Sequence, residues 1–84
     1  MDIKVIKDKL LVLLTAIAPD VDPATVDPKC EFRDQFDFDS MDALHFATAI
    51  SEEFKIEIAE TDYPLLLSLQ GAGQFVEGKL AKNT

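Results

Sequence analysis

Ser40 stands among three carboxylates in DFDSMD, residues 37–42, where a polar stretch gives way to a helical pattern. With His45 nearby, these residue types could serve metal ligation, nucleophilic hydrolysis, or use of the serine as a structural group. Asp37, Asp39 and Asp42 resemble the start of a calcium loop, whose ligands fall at positions 1, 3, 5 and 12 with glycine at 6. Counted from Asp37, Met41 falls on the third ligand position, Asp42 on the glycine and Thr48 on the last ligand. The loop fails at all three, and the acids read as a face that attracts counter-ions diffusely, with no metal site. Hydrolysis fails on direction: His45 lies five residues beyond Ser40, roughly 140° round a helix, and no Gly-x-Ser-x-Gly elbow surrounds the serine. His45 therefore reads as a solvated surface residue. Cys30 has no sequence reason for a lowered pKa and reads as an ordinary loop cysteine. Local physics leaves Ser40 one plain role, that of a helix cap.

The elements that must position this motif follow from periodicity. Ile3, Ile6, Leu10, Leu13, Leu14 and Ile17 recur at three- and four-residue steps, with Lys4, Lys7, Asp8 and Lys9 mostly opposite, which predicts an amphipathic helix over 3–17. Pro19 stops it, and Pro23 and Pro28 keep residues 19–39 from long helices. So long a loop in a small protein requires anchors, and Val21, Val26, Phe32, Phe36 and Phe38 can supply them. Asp39 or Ser40 can cap the next helix, with Asp42 in its first turn where the helix dipole favours negative charge. Ala43, Phe46, Ala47, Ile50 and Phe54 form its apolar stripe and bring it to about residue 54. The alternating Ile56-Glu57-Ile58 is too short and unpartnered for a strand and reads as a connection with both isoleucines inward. Thr61 is the expected cap of a short third helix that tolerates Pro64 in its first turn, and Ser68 of a fourth running to about Leu80. Gly71, Gly73 and Gly78 each cost that helix up to about 1 kcal/mol relative to alanine, which would make it the most mobile.

The 84 residues suffice for one domain, 1–84, with one small core. That favours a carrier or binding module over an enzyme with a deep cleft. Eight bases against sixteen acids give a net charge of −8, which repels phosphate backbones and anionic lipid. Nucleic acid is not an expected partner. The acidity is concentrated: residues 37–62 hold eight acids and one base. One cysteine allows no internal disulfide and suits a reducing compartment. LLVLLTAIA, the longest apolar run, is far short of a membrane span, and the N-terminus lacks the core of a signal peptide. A cytoplasmic monomer without stable membrane insertion is the expectation.

Asp39-Ser40-Met41-Asp42, Glu52-Glu53-Phe54, Ile56-Glu57-Ile58 and Leu69-Gln70 together resemble the acyl carrier protein family. The shared layout is a long first helix, a long loop, an Asp-Ser-Leu motif opening an acidic second helix, Glu-Glu-Phe near its end, a short third helix and a last one. It covers nearly the whole chain, and the spacing from Ser40 to Gln70 fits without a gap. The resemblance implies an all-α fold, a small four-helix bundle with a long loop between helices 1 and 2 and a short third helix. It makes Ser40 the attachment point for 4′-phosphopantetheine, placed there from coenzyme A by a separate Mg²⁺-dependent phosphopantetheinyl transferase, with Asp39 and Met41 flanking the arm. The serine then needs no base of its own, and a phosphodiester at a helix N-terminus lies beside free N–H groups and the positive end of the dipole. The protein would not be an enzyme; it would carry an acyl group as a thioester between enzymes of a fatty-acid, lipid or secondary-metabolite pathway.

By the same resemblance, acyl-activating or acyl-transferring enzymes with basic patches would dock on Asp37, Asp39, Asp42, Glu52, Glu53 and Glu57, with Met41 and Leu44 as apolar contacts. Charge pairing of this kind speeds encounter and depends on salt more than it tightens binding. The family commonly has glycine shortly before Asp-Ser, where Phe36 and Phe38 stand here; Met41 replaces the usual leucine, and His45 an acid. These departures imply a specialised carrier rather than the general fatty-acid one. An aminoacyl or peptidyl carrier of the same fold, and an acidic interaction domain with no prosthetic group, remain as alternatives. The first would be separated by loading assays, the second by an intact function in Ser40→Ala.

Overall fold

The computed structural model describes residues 2–82. Helix α1 spans Ile3–Ile17, as its apolar spacing predicts, and Asp2 caps it by accepting the Lys4 N–H. A turn of 3₁₀ helix at Pro23–Thr25 and a four-residue helix, α2 (Phe32–Gln35), interrupt the long loop. Helix α3 spans Ser40–Phe54; a 3₁₀ helix follows at Glu60–Leu66, and α4 closes the described chain at Leu69–Lys82. The fold is a small all-α bundle of the expected kind, and no strand occurs among the described residues beyond one isolated bridge, Glu31 with Ser68.

Helix α1 lies against both α4 and α3, and the Glu60–Leu66 helix fills the remaining side against α3 and α4. Ile6, Leu10 and Leu14 from α1 meet Phe46, Ala47, Ile50 and Phe54 from α3 and Leu69, Ala72 and Val76 from α4, all buried. Those positions recur at three and four residues because a helix presents one stripe to its neighbours. Lys55, in the left-handed region at φ 55°, ends α3, and Ser51 holds the exit by donating from its hydroxyl to the Ile56 carbonyl at 2.6 Å. Ile56 is buried and Ile58 half-buried, as the short alternation suggests.

Two expectations about caps and glycines change. Thr61 does not cap the third helix: it begins at Glu60, and Asp62 reaches back to accept the Ala59 N–H at 3.1 Å. A carboxylate three residues in can close a helix start from inside, so the cap residue itself can be alanine. Ser68 does cap α4, accepting the Gly71 N–H at 3.0 Å. Gly71 and Gly73 then prove to be points of close approach. A Cβ at Gly71 would stand 2.5 Å from the Leu65 carbonyl oxygen, and one at Gly73 3.3 Å from Ile3 Cδ1, whereas Gly78 has open space around it. At Gly71 the loosening expected from a glycine comes with a close backbone approach that a side chain would block.

Candidate functional site

The start of α3 answers what Ser40 does not do. Asp39, in extended conformation, is the cap: its Oδ1 accepts the Asp42 N–H at 2.9 Å, and Asp42 Oδ2 accepts the Asp39 N–H at 3.2 Å. Each carboxylate satisfies a backbone donor of the other residue, which is the reciprocal arrangement of a capping box with aspartate at both ends. Ser40 is then the first helical residue, exposed, and its hydroxyl has no hydrogen-bond partner among the described residues. Were Ser40 the cap, its oxygen would be occupied by a backbone N–H. With the cap supplied by Asp39, the hydroxyl can be esterified without unfastening the helix. The site therefore fits a covalent acceptor. His45 is exposed on the same helix, and no hydrogen bond joins it to Ser40.

The loop before Ser40 is fixed by aromatic packing and by one glutamine. Phe32 is fully buried, with ring centroids 5.5 Å from Phe46, 5.6 Å from Phe36 and 5.2 Å from Phe38. Edge-on contacts join Phe36 to Phe38 and Phe38 to Phe46, a favoured geometry because the positive edge of one ring meets the negative face of another. Phe36 and Phe38 alternate with Asp37 and Asp39, and with the rings packed inward those acids are exposed. Gln35 donates to the carbonyls of Asp27 and Cys30 and accepts the Asp27 N–H at 2.8 Å. The Phe32 N–H donates to the Leu67 carbonyl at 2.7 Å, and the Gln70 N–H to that of Pro28 at 2.9 Å. Of the proposed anchors, Val26, Phe36 and Phe38 pack on the core, while Val21 is half-buried at the loop's outer edge.

The surface residues divide by place. Asp37, Asp39, Met41, Leu44, Glu52, Glu53 and Glu57 are exposed, and Asp42 is half-buried. Met41 keeps 57% and Leu44 40% of its surface accessible, high values for apolar side chains on a helix with a well-filled core face. Between Asp42 and Glu52 the helix carries no acid, and His45 and Thr48 are exposed there. Asp39 and Asp42 at the head of α3 are therefore separated from Glu52 and Glu53 near its end by a stretch without acids. Glu53 lies 3.6 Å from Lys9 of α1, an exposed pair of small energetic weight.

Three features escaped the sequence. Leu65 is 53% exposed beside buried Leu66; the run Leu65-Leu66-Leu67 was the available signal, because three successive residues of a 3₁₀ helix point in three directions. Two open grooves meet at the foot of α3, of about 1040 Å³ and about 420 Å³, and share Arg33, Phe36, Asp37 and Asp42 in their walls. No periodicity foretells them, since they lie under irregular backbone. Finally, the exposed Cys30 thiol donates to Asp27 Oδ2 at 3.4 Å. That hydrogen bond and the carboxylate's charge push the thiol's pKa up. Asp27 is itself held below the usual carboxylate range, first by the Lys29 N–H and next by the Cys30 thiol.

Residues 9–75 match the family model described as a phosphopantetheine attachment site. The chain is 31% identical over 78 residues to an acyl carrier protein of Thermosynechococcus vestitus, covering 89% of this chain and 96% of that one. It is 37% identical over 59 residues to an acyl carrier protein of Solidesulfovibrio magneticus, covering 70% and 76%. Over 67 residues it is 31% identical to polyketide-8 synthase acyl carrier protein 2 of Streptomyces avermitilis, covering 80% and 77%.

Proposed function

The chain belongs to the acyl carrier protein family, whose prosthetic group is 4′-phosphopantetheine, and from that premise we propose that Ser40 is the residue that bears it. The observation that carries this reading is the free, exposed hydroxyl at the first position of α3, left unoccupied because Asp39 and Asp42 cap the helix between them. Its oxygen would form the phosphodiester as its proton leaves and the pyrophosphate bond of coenzyme A breaks, with 3′,5′-ADP as the leaving group. When attached, the group supplies a terminal thiol on which an acyl chain is held as a thioester. The role of the protein's own residues is to hold that point fixed and outward: the capping box orients Ser40, and the Phe32, Phe36, Phe38 and Phe46 rings fasten the loop before it.

We place the whole chain, 1–84, in one carrier domain that passes acyl groups between acyl-handling enzymes and catalyses nothing itself. Among the described residues no helix is long and apolar enough to cross a membrane. Docking is assigned to the exposed side of α3, where Met41 and Leu44 offer apolar contact and Asp37 with Asp39, and Glu52 with Glu53, offer charge at either end. Phosphopantetheinyl transferases and acyl-transferring enzymes with basic residues around an apolar centre would fit it, in encounters that weaken as salt rises.

The test is intact mass after incubation with coenzyme A, Mg²⁺ and a broad-specificity phosphopantetheinyl transferase. Wild type gains the mass of one phosphopantetheine and Ser40→Ala gains none. A gain on Ser40→Ala would place the attachment elsewhere, and no gain on wild type with the transferases of its own host would remove the proposal.

A further inference from the structure

The larger groove, of about 1040 Å³, is open to solvent and lies between the end of α1, the loop that follows it and the head of α3. Ile17, Val21, Val26 and Phe36 form its apolar wall, and each is half-buried. Ile17, Val26 and Phe36 pack on the core, so the fold covers one side of these side chains and leaves the other open. Asp20, Asp22, Asp37 and Asp42 line the same groove. Asp22 and Asp42 each direct one oxygen at a backbone N–H, of Ala24 and of Asp39. Asp20 and Asp37 have no hydrogen bond or ion pair among the described residues. Arg33 is the base in these walls, and its Nε is already held by Glu31 Oε1 at 2.8 Å. Helix α1 also ends here, with Ile17 and Ala18 in the wall and no basic residue in its last turn. The negative end of its dipole adds to the field of the carboxylates.

A cleft walled by one sign of charge focuses the field and gathers the opposite charge. A compact metal ion is not the complement, because among the described residues no group of acids, histidines or cysteines is placed to hold one. The four carboxylates are instead dispersed over a wall that also carries apolar side chains. That matches side chains which join an apolar stem to a charged end, as lysine and arginine do. We propose that this groove receives a basic, partly apolar segment of a partner protein, its lysine and arginine stems against Ile17, Val21, Val26 and Phe36 and their charged ends at the aspartates. The surface is distinct from the exposed side of α3: Met41 and Leu44 line neither groove, and nor does Ser40. The inference therefore goes beyond the carrier reading and does not depend on what Ser40 bears.

The probe is a short peptide in which lysine and leucine alternate, added to ¹⁵N-labelled, unmodified protein. Expected are amide shifts at Val21, Asp22, Val26 and Asp37 that exceed those at Leu44, Thr48 and Glu52, with binding that weakens as salt rises. Asp20→Asn removes a carboxylate that fastens nothing in the fold, and it should weaken binding by about two- to fivefold, the worth of an exposed charge pair. Glu77→Gln removes the same charge from α4, outside the groove, and should leave binding unchanged. Serine in place of leucine in the peptide should weaken binding, and glutamate in place of lysine should abolish it. Shifts centred on Met41 and Leu44, equal losses in Asp20→Asn and Glu77→Gln, or equal binding of the leucine and serine peptides would overturn the proposal. Shifts at the groove that grow with protein concentration in the absence of peptide would make a second copy of the chain the occupant, and would overturn it as well. Failure of Ser40 to accept phosphopantetheine is a separate result, since the protein used here is unmodified.

Discussion

Helices α1 and α4 and the segment between them, residues 18–68, share one core but divide the charge unequally. Each contributes about half of the buried apolar side chains: Ile6, Leu10, Leu14, Leu69, Ala72 and Val76 from the pair, and Phe32, Phe46, Ala47, Ile50, Phe54, Ile56 and Leu66 from the segment. Yet the pair carries five bases and two acids, and the segment three bases and thirteen acids. A core is indifferent to the sign of the charge outside it, and concentrated like charge destabilises a compact state. Folding therefore does not account for the asymmetry, whereas the docking proposed above would. The two regions also bury different chemistry: five of the six phenylalanines lie in 18–68. An irregular loop cannot repeat a leucine stripe every turn, so it is fastened by a few large side chains.

That contrast is most exposed to Phe32→Ala. Removing a fully buried phenylalanine costs about 3–5 kcal/mol, at least as much as Leu10→Ala in α1, for which about 2–5 kcal/mol is expected from the same cavity and transfer terms. Denaturant melts of both variants check this. A cost below about 1 kcal/mol for Phe32→Ala would mean that the loop contributes little and that α1, α3 and α4 stand without it. Gly71→Ala comes next. Its new methyl meets the Leu65 carbonyl oxygen, and overpacking costs about 1–3 kcal/mol. Gly78→Ala, in open space on the same helix, should instead stabilise by up to about 1 kcal/mol. Opposite signs for the two would separate packing from propensity; equal signs would dissolve the distinction.

These two glycines also mark how far the sequence could be read. The ranges of α1 and α3 and the cap at Ser68 were legible because each rests on local spacing or on one side chain beside its own backbone. The glycines look identical in sequence, and only the approach of the Glu60–Leu66 helix and of Ile3 tells Gly71 and Gly73 from Gly78. Asp39 and Ser40 are both good capping residues, so the choice between them was open until Asp42 was seen to complete the box with Asp39. The acids expected to dock were visible as a run, but their separation into two groups depends on which turn of α3 each occupies. The grooves lie beside irregular backbone and a four-residue helix too short to show a period.

Asp39→Ala tests the site itself and should cost about 0.5–2 kcal/mol, the usual loss of a capping side chain. A loss near zero would mean that Ser40 takes over the cap when the carboxylate is gone, and the variant should then accept phosphopantetheine poorly because its hydroxyl is engaged. A full loss with modification retained would show the two roles to be independent, as the geometry of the box implies.

The smallest effect concerns whether the loop keeps its turns in solution, and Cys30 reports on it. Its thiol is pushed up by the hydrogen bond to Asp27 and by that carboxylate's charge, and the reactive species is the thiolate. Alkylation by iodoacetamide near pH 8 should therefore be slower in the folded protein than in the urea-unfolded chain, and Asp27→Asn should quicken it by removing the charge. The signs of the linked stabilities follow. The raised thiol pKa gives a contribution present at pH below the unfolded thiol's value and lost as pH rises through the folded one. The lowered Asp27 pKa gives one present above the unfolded carboxylate's value and lost as pH falls through the folded one. Both hold together only in the window between, which includes neutrality. Equal rates in folded and unfolded chains, with no response to Asp27→Asn, would show that the Asp27–Cys30 turn does not persist. The fastening of the loop would then rest on the Phe32, Phe36 and Phe38 rings and on the backbone bonds from Phe32 to Leu67 and from Gln70 to Pro28.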